Sequence, residues 1–314
     1  MIHKTHSTGV NAALFSAFFL GLAPVFGKAA MVPGGFSPLA VVALRTSAAA
    51  LLLVLIISIF NRSALYIYPA GLLGCIMAGV VNGIGSLFYY EGLNRLNASV
   101  AQMLYALYPF FVAFWLLLDR QIPSRFTFFR IFLAGASAYL LTRGDAGHFD
   151  AWGILCMLIA ALLYALHLPI NQRVLYDVPS PTVTVYTLLA MSATVVPAYF
   201  MFDARWSSGD LPWIPVLALT AVTFFSRLFL FLGVKHIGGM QTALLGLGEL
   251  LVAIVFSHLL LDENLTNLQW LGALGLGISL LLVWFEKPPT HPPHPHGLLK
   301  WLQPPDFPSD YYRH

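Results

Sequence analysis

Four ionisable side chains stand out inside long apolar stretches of this 314-residue chain: Glu249, Arg227, His167 and Arg45. At the centre of a bilayer an ionised group costs about 2.5–3.5 kcal/mol on insertion scales, so it faces a cavity or a partner. Arg227 lies too deep to reach headgroups and keeps its proton, so it needs either a protein carboxylate or an anionic group of a ligand. Arg45 stands about two turns into its stretch, where it can snorkel, cap carbonyls or contact a ligand. His167 can serve a ligand or donate to the backbone of a neighbouring helix. Glu249 shares a helical face with Thr242, Gly246 and Ala253, small or polar neighbours that can border water. It reads two ways: as a carboxylate that links proton or cation binding to a conformational cycle, or as a fixed partner of Arg227 that holds two helices in register.

Polar and aromatic residues recur around these four. Asn82, Ser86 and Tyr89 share one helical face, Gln102 and Tyr105 lie three apart, and Tyr164 precedes His167 by three. Aromatic walls with a few convergent polar groups suit a small organic ligand. The candidate substrate-binding set is therefore Glu249, Arg227, His167, Arg45, Asn82, Tyr105 and Tyr164. Tyr89, close to the end of its stretch, reads instead as an interfacial aromatic, and Lys28 as an interfacial cation. Cys75 and Cys156 read as packing residues. GxxxxGK[ST], HExxH and GxSxG patterns are absent, which removes the hallmarks of nucleotide-driven pumping and common hydrolysis. No cofactor or metal is called for.

The elements that must position these residues follow from composition. Hydrophobic residues make up 59% of the chain and charged ones 9%, against roughly 45–50% and about 25% in soluble domains. About 20 apolar residues cross a bilayer as a helix. Ten stretches qualify: Asn11 to Met31, Pro38 to Phe60, Pro69 to Leu93, Ala98 to Leu118, Phe126 to Thr142, Trp152 to Val174, Pro181 to Phe202, Pro212 to Val234, Met240 to Leu261 and Leu268 to Trp284. Connections are short, which excludes a large extramembrane catalytic domain. The first stretch is long and lacks a small-residue cleavage site, so it reads as an uncleaved helix rather than a signal peptide.

Basic residues give an orientation. Lys4, Arg62, Arg120, Arg125, Arg130, Arg173, Lys235, Lys287, Lys300 and Arg313 fall on one side, and only Arg95, Arg143 and Arg205 in the opposite loops. The positive-inside rule then puts both termini in the cytoplasm of a cell whose inner membrane holds the chain. The net charge of +3 is explained by these loops and does not call for a nucleic acid. From Pro288 the sequence turns Pro- and His-rich, with His291, His294 and His296, and reads as a disordered cytoplasmic tail.

The chain also repeats itself. Gly92-Leu93-Asn94-Arg95-Leu96 aligns with Gly233-Val234-Lys235-His236-Ile237, and Leu116-Leu117-Leu118-Asp119 with Leu259-Leu260-Leu261-Asp262. Pro24 and Lys28 match Pro169 and Arg173. Five stretches per half is an odd number, so the second half enters the membrane inverted. The expectation is an all-α integral membrane protein of ten transmembrane helices as two inverted five-helix repeats. Residues 1–10 form an N-terminal segment, 11–145 the first repeat, 146–287 the second and 288–314 the tail. Inverted repeats place substrate near the midplane between the halves.

Several of these segments resemble the EamA-type repeat of the drug/metabolite transporter superfamily. They are Ala98-Ser99-Val100-Ala101, Leu107-Tyr108-Pro109, Leu116 to Asp119, Gly21 and Lys28, Arg45, Leu261-Asp262-Glu263 and Trp270-Leu271-Gly272. The resemblance covers about residues 11–285. It implies a ten-helix carrier with a central cavity, often an exporter of amino acids or other metabolites. One departure stands out: the counterpart of Pro109 falls in Gly246-Leu247-Gly248-Glu249-Leu250, which has a carboxylate and no proline.

The expected function is therefore secondary transport of a small organic metabolite by alternating access, with amino acid export as the leading candidate. A drug or organic-anion exporter of the same fold differs only in how Glu249 and Arg227 are used. More remote are an intramembrane lipid-acting enzyme, with Glu249 and His167 as acid and base, and a scaffold without transport. The partners expected are a small-molecule substrate, the lipid bilayer and a coupling proton or cation; oligomeric state is not readable.

Overall fold

A computed structural model describes residues 2–32, 34–96, 98–119, 124–142, 150–203, 211–261 and 267–285. Among them the chain forms twelve α-helices, two short 3-10 turns and no strand. In order these are α1 (Ile2–Ala30), α2 (Pro38–Phe60), α3 (Pro69–Arg95), α4 (Ala98–Tyr105), α5 (Tyr108–Leu118), α6 (Arg125–Thr142), α7 (Ala151–Leu175), α8 (Ser180–Phe202), α9 (Trp213–Ile237), α10 (Gly239–Gly246), α11 (Gly248–Leu261) and α12 (Asn267–Leu281). Six of them, α1, α2, α3, α7, α8 and α9, are long and apolar enough to cross a membrane. The tail from Pro288, the loop residues Arg120, Arg143 and Arg205, and the Asp262-Glu263 pair lie outside the described residues.

Helix starts follow local chemistry. Ser37 caps α2 by accepting the Ala40 N–H at 3.2 Å, with Pro38 in the first turn. Asp150 caps α7, accepting the N–H groups of Trp152 at 2.9 Å and Gly153 at 3.2 Å. The Gly153 N–H, helped by Arg95, holds the Asp150 carboxyl below the usual carboxylate range. Gly238, at φ 82°, makes the sharp turn between α9 and α10, a conformation that glycine adopts without a Cβ penalty.

Three expectations need correction. Helix α1 runs back to Ile2, through the residues read as a separate N-terminal segment. The stretches Ala98 to Leu118 and Met240 to Leu261 are not single helices: α4 gives way to α5 at Ala106-Leu107, and α10 to α11 at Leu247. Pro109 explains the first break, because it lacks an N–H and favours a first helical turn. In the second, glycines on both sides of Leu247 supply the same weakness without proline. Both breaks are tightened by three-residue hydrogen bonds, Phe110 N to Leu107 O at 3.0 Å and Leu250 N to Leu247 O at 3.0 Å.

The long helices pair across the two halves of the chain. Helix α1 packs along α9 and α3 along α7, α2 crosses α8, and α6 lies on α12. Exchanging the halves exchanges the first two of these pairs. Close approach depends on small residues: a Cβ on Gly79 of α3 would fall 2.5 Å from both the Ala190 Cβ and the Thr187 carbonyl of α8. The outer surface is apolar, with Phe60, Phe200 and Leu274 exposed, as a lipid-facing surface requires.

The two ends of the bundle are closed differently. At the end where α1 begins, Arg173 of α7 donates to the Asp119 carboxylate that follows α5, 2.7 Å away and buried. Beside it Thr182 and Tyr186 of α8 donate to the Ala64 and Leu65 carbonyls, each at 2.6 Å. Arg130, read from sequence as a surface cation, is fully buried in α6; it donates to the Ser279 carbonyl at 3.2 Å and to Gln241 at 2.5 Å. At the opposite end the charged link between the halves is Arg95 to Asp150 at 3.3 Å, solvent-exposed, and Lys28 donates to the Leu96 carbonyl at 2.9 Å.

Removing one partner of a buried ion pair costs about 3–5 kcal/mol, because the other charge is stranded. Asp119→Asn should therefore lower the melting temperature of the purified protein markedly, and adding Arg173→Gln should recover much of the loss. Thermal unfolding of the single and double variants in detergent measures this.

Candidate central binding cavity

The breaks in α4–α5 and α10–α11 meet near the middle of the bundle. Tyr108, at the start of α5, reaches across to donate its hydroxyl to the Ala243 carbonyl of α10 at 2.8 Å. Gly246 makes room for it: a Cβ there would sit 2.2 Å from the Tyr108 oxygen. One turn further, Glu249 occupies the first turn of α11, where unpaired backbone N–H groups favour a carboxylate. Gly21 lets α1 press against this turn, since a Cβ would fall 2.7 Å from the Glu249 carbonyl.

Beside these breaks lies a cavity of about 40 Å³, lined by Leu20, Ala23, Arg45, Asn82, Gly85, Ser86, Tyr89, Tyr90, Gln102, Tyr105, Ala160, Tyr164, Arg227 and Glu249. Six of the seven candidate residues are in this wall: Arg45, Asn82, Tyr105, Tyr164, Arg227 and Glu249. They come from α2, α3, α4, α7, α9 and α11, so both halves contribute. The seventh, His167, stands just behind. Its ring packs 4.6 Å from that of Tyr164, and its Nδ1 lies against the Tyr164 carbonyl. With that nitrogen donating, Nε2 accepts from Arg227 at 3.5 Å. The backbone contact of His167 is thus within its own helix α7 rather than with a neighbouring helix.

The tyrosines form a continuous wall. Tyr90 meets Tyr89 at 5.3 Å, Tyr89 meets Tyr105 at 4.9 Å, and Tyr105 meets Tyr164 at 5.3 Å, all edge-on or tilted. A guanidinium caps each end of this row, Arg45 at 4.8 Å from the Tyr90 ring and Arg227 at 5.7 Å from the Tyr164 ring. Arg45 also donates to Thr223 of α9 at 2.9 Å. It is buried, not snorkelling. Tyr89 is likewise not interfacial: it lines the cavity and donates to Gln102 at 3.1 Å. Asn82 donates to the Met191 sulfur at 3.4 Å.

Glu249 and Arg227 do not form the fixed pair that one reading expected. Among the described residues no ion pair joins them, and Glu249 Oε1 is buried without a hydrogen-bond partner. Arg45 Nε and the Tyr90 hydroxyl are also buried and unpartnered. Buried polar groups are nearly always satisfied, so three open positions around one cavity mark a place for a ligand or water. About 40 Å³ holds no more than a few waters; the tyrosine wall must part to admit anything larger. A larger groove of about 230 Å³, between α2 and α8, is lined by Phe36, Ala40, Leu44, Val196 and Phe200 among others and contains none of the candidate residues. Metal-ligating clusters are absent among the described residues.

Sequence spacing missed Tyr90, Tyr108 and Thr223. Tyr90 adjoins Tyr89 on α3, and the signal available was a pair of tyrosines near the end of an apolar run.

The family model for the EamA-like transporter family matches residues 7–143 and again 151–285. The chain belongs to that family and is a multi-pass membrane protein. It is 25% identical over 213 residues to the uncharacterized transporter sll1319 of Synechocystis, a match covering 63% of this chain and 62% of that protein. It is 24% identical to the uncharacterized transporter YcbK of Bacillus subtilis, over 65% of this chain and 69% of the relative. A solved crystal structure with 15% identity superposes with a TM-score of 0.73, covering 89% of this chain and 97% of its own, which supports the fold.

If the tyrosine wall and Asn82 contact cargo, Asn82→Ala, Tyr105→Ala and Tyr164→Ala should each raise the half-saturation concentration of uptake about tenfold, the loss of roughly 1.4 kcal/mol. Membrane levels of folded protein should stay unchanged. Initial-rate measurements on vesicles check this, and unaltered constants in all three would move the site elsewhere.

Proposed function

We propose that this chain is a secondary transporter that exports a small organic metabolite, with an amino acid as the leading candidate, by alternating access. In this reading it crosses the cell's inner membrane ten times, as two inverted five-helix repeats, with both termini in the cytoplasm. The paired helices α1–α9 and α3–α7 and the doubled family match support the repeats. The observation that carries the functional reading is the central cavity, which sits between the halves at two helix breaks and holds unpartnered charged groups. Broken helices at the interface of inverted repeats expose backbone groups only where they border a cavity.

Rocking of one half against the other exposes the cavity alternately to each side. The end bearing Asp119–Arg173 is the more firmly closed here, because its inter-half contacts are buried. Glu249 is the coupling residue: with an open oxygen and a helix N-terminus behind it, it exchanges a proton or cation when the cavity changes access.

Purified protein in liposomes with labelled amino acids, sugars, nucleosides and cationic drugs tests the reading directly. Flux of one class without chemical change is expected; product formation would identify an enzyme, and neither outcome would leave a scaffold. Glu249→Gln keeps the shape and removes the charge. It should abolish gradient-driven accumulation while exchange of substrate across the membrane survives at saturating substrate, with a raised half-saturation concentration because Glu249 lines the cavity. Normal accumulation by Glu249→Gln across the pH range would remove its coupling role.

A further inference from the structure

The cavity has a charge pattern that narrows its ligand, and this inference rests on the transport reading above. Arg45, Arg227 and Glu249 are the charged residues of its wall. No ion pair among the described residues neutralises any of the three; the acidic neighbours with basic partners are elsewhere, Asp119 on Arg173 and Glu91 on Arg95. Arg227 contacts the His167 ring and the Tyr164 face, with Glu249 near it but not within ion-pair distance. Two guanidiniums and one carboxylate, all three buried, share this wall. A proton on Glu249 would increase the positive excess, so its sign does not depend on that group's state.

Uncompensated charge is expensive in a low-dielectric interior and is neutralised by a partner wherever one is available. Guanidinium is suited to carboxylate, which it binds through paired N–H donors. The open positions have matching polarity: Arg45 Nε and the Tyr90 hydroxyl are donors, and Glu249 Oε1 is an acceptor. The two guanidiniums sit on different rings of the tyrosine row, Arg45 on Tyr90 and Arg227 on Tyr164, so that each offers its own anchoring point.

We infer that the cargo is an acidic amino acid, whose two carboxylates meet Arg45 and Arg227 and whose ammonium meets Glu249. Group for group, this ligand cancels the charge of the wall. Tyr90 is then a specificity-determining residue, its hydroxyl donating to the carboxylate held by Arg45. An isosteric amide leaves one guanidinium uncompensated, and a plain dicarboxylate leaves Glu249 without its cation.

The test is equilibrium binding of labelled L-glutamate and L-aspartate to the full chain in lipid nanodiscs. Competitors are L-glutamine, L-asparagine, glutarate, L-phenylalanine and L-lysine. An acidic amino acid should bind, with its amide and glutarate each at least tenfold weaker competitors and phenylalanine and lysine weaker still. Arg45→Lys should narrow the acid-to-amide ratio severalfold while leaving a folded protein, and Tyr90→Phe should do so to a smaller degree. If those variants fail to fold, the ratio in the unaltered protein decides alone. Equal or tighter binding of an amide, of phenylalanine or of lysine overturns the inference. Should a neutral or cationic amino acid bind and also exchange across liposomes, the transport reading stands and only the charge assignment falls. If no member of the panel binds or is carried, the charge assignment fails and the amino-acid reading fails with it.

Discussion

Charge held without a fixed partner at the centre of an apolar bundle is the constraint on which this structure depends. Arg45, Arg227 and Glu249 cannot all face lipid, so the helices that carry them must enclose a common space. That space lies where two of the enclosing helices are interrupted, at α4–α5 and α10–α11. Proline in one half and a pair of glycines in the other supply the interruptions, and Tyr108 resting against Gly246 locks them together. Small residues elsewhere then let α1, α3 and α8 come close enough to seal the bundle around the site.

The same physics explains the unequal closure of the two ends. A buried ion pair is costly to separate wherever either charge stays buried, because it is then stranded without partner or solvent. An exposed pair such as Arg95–Asp150 is worth little, as water replaces it readily. The charged link at the Asp119–Arg173 end is thus buried and that at the opposite end exposed, while the opposite end is also packed by buried residues such as Leu96 against Gly153. In the alternating-access reading proposed above, two such closures trade places, and a ligand that neutralises the central charges lowers the cost of the site only while bound.

Much of the site was legible in the sequence because its signals are local. An ionisable residue in a long apolar run is conspicuous, which is why Arg45, Arg227 and Glu249 could be named, and three- or four-residue spacing placed Asn82, Tyr105 and Tyr164 on shared faces. What was not legible depends on partners far along the chain. Tyr108 finds Ala243 across 135 positions, and Arg45 finds Thr223 across 178; neither neighbour carries a mark of its own. The break at Leu247 was hidden because glycines in membrane helices ordinarily signal close packing. Tyr89 was misplaced for a similar reason: an aromatic near a helix end is as typical of the interface as of a cavity, and only its contact with Gln102 decides.

The central claim is that the cavity between the halves opens to both sides of the membrane and is the place where cargo binds. Asn82 lies in its wall, buried, so a cysteine there, in a chain with Cys75 and Cys156 replaced, reports on access. The decisive measurement is its labelling in oriented vesicles by an impermeant thiol reagent added from either side, with and without transported substrate. The account predicts labelling from both sides, slowed from both when substrate is bound. Labelling from one side alone, or from both with no effect of substrate, would contradict it.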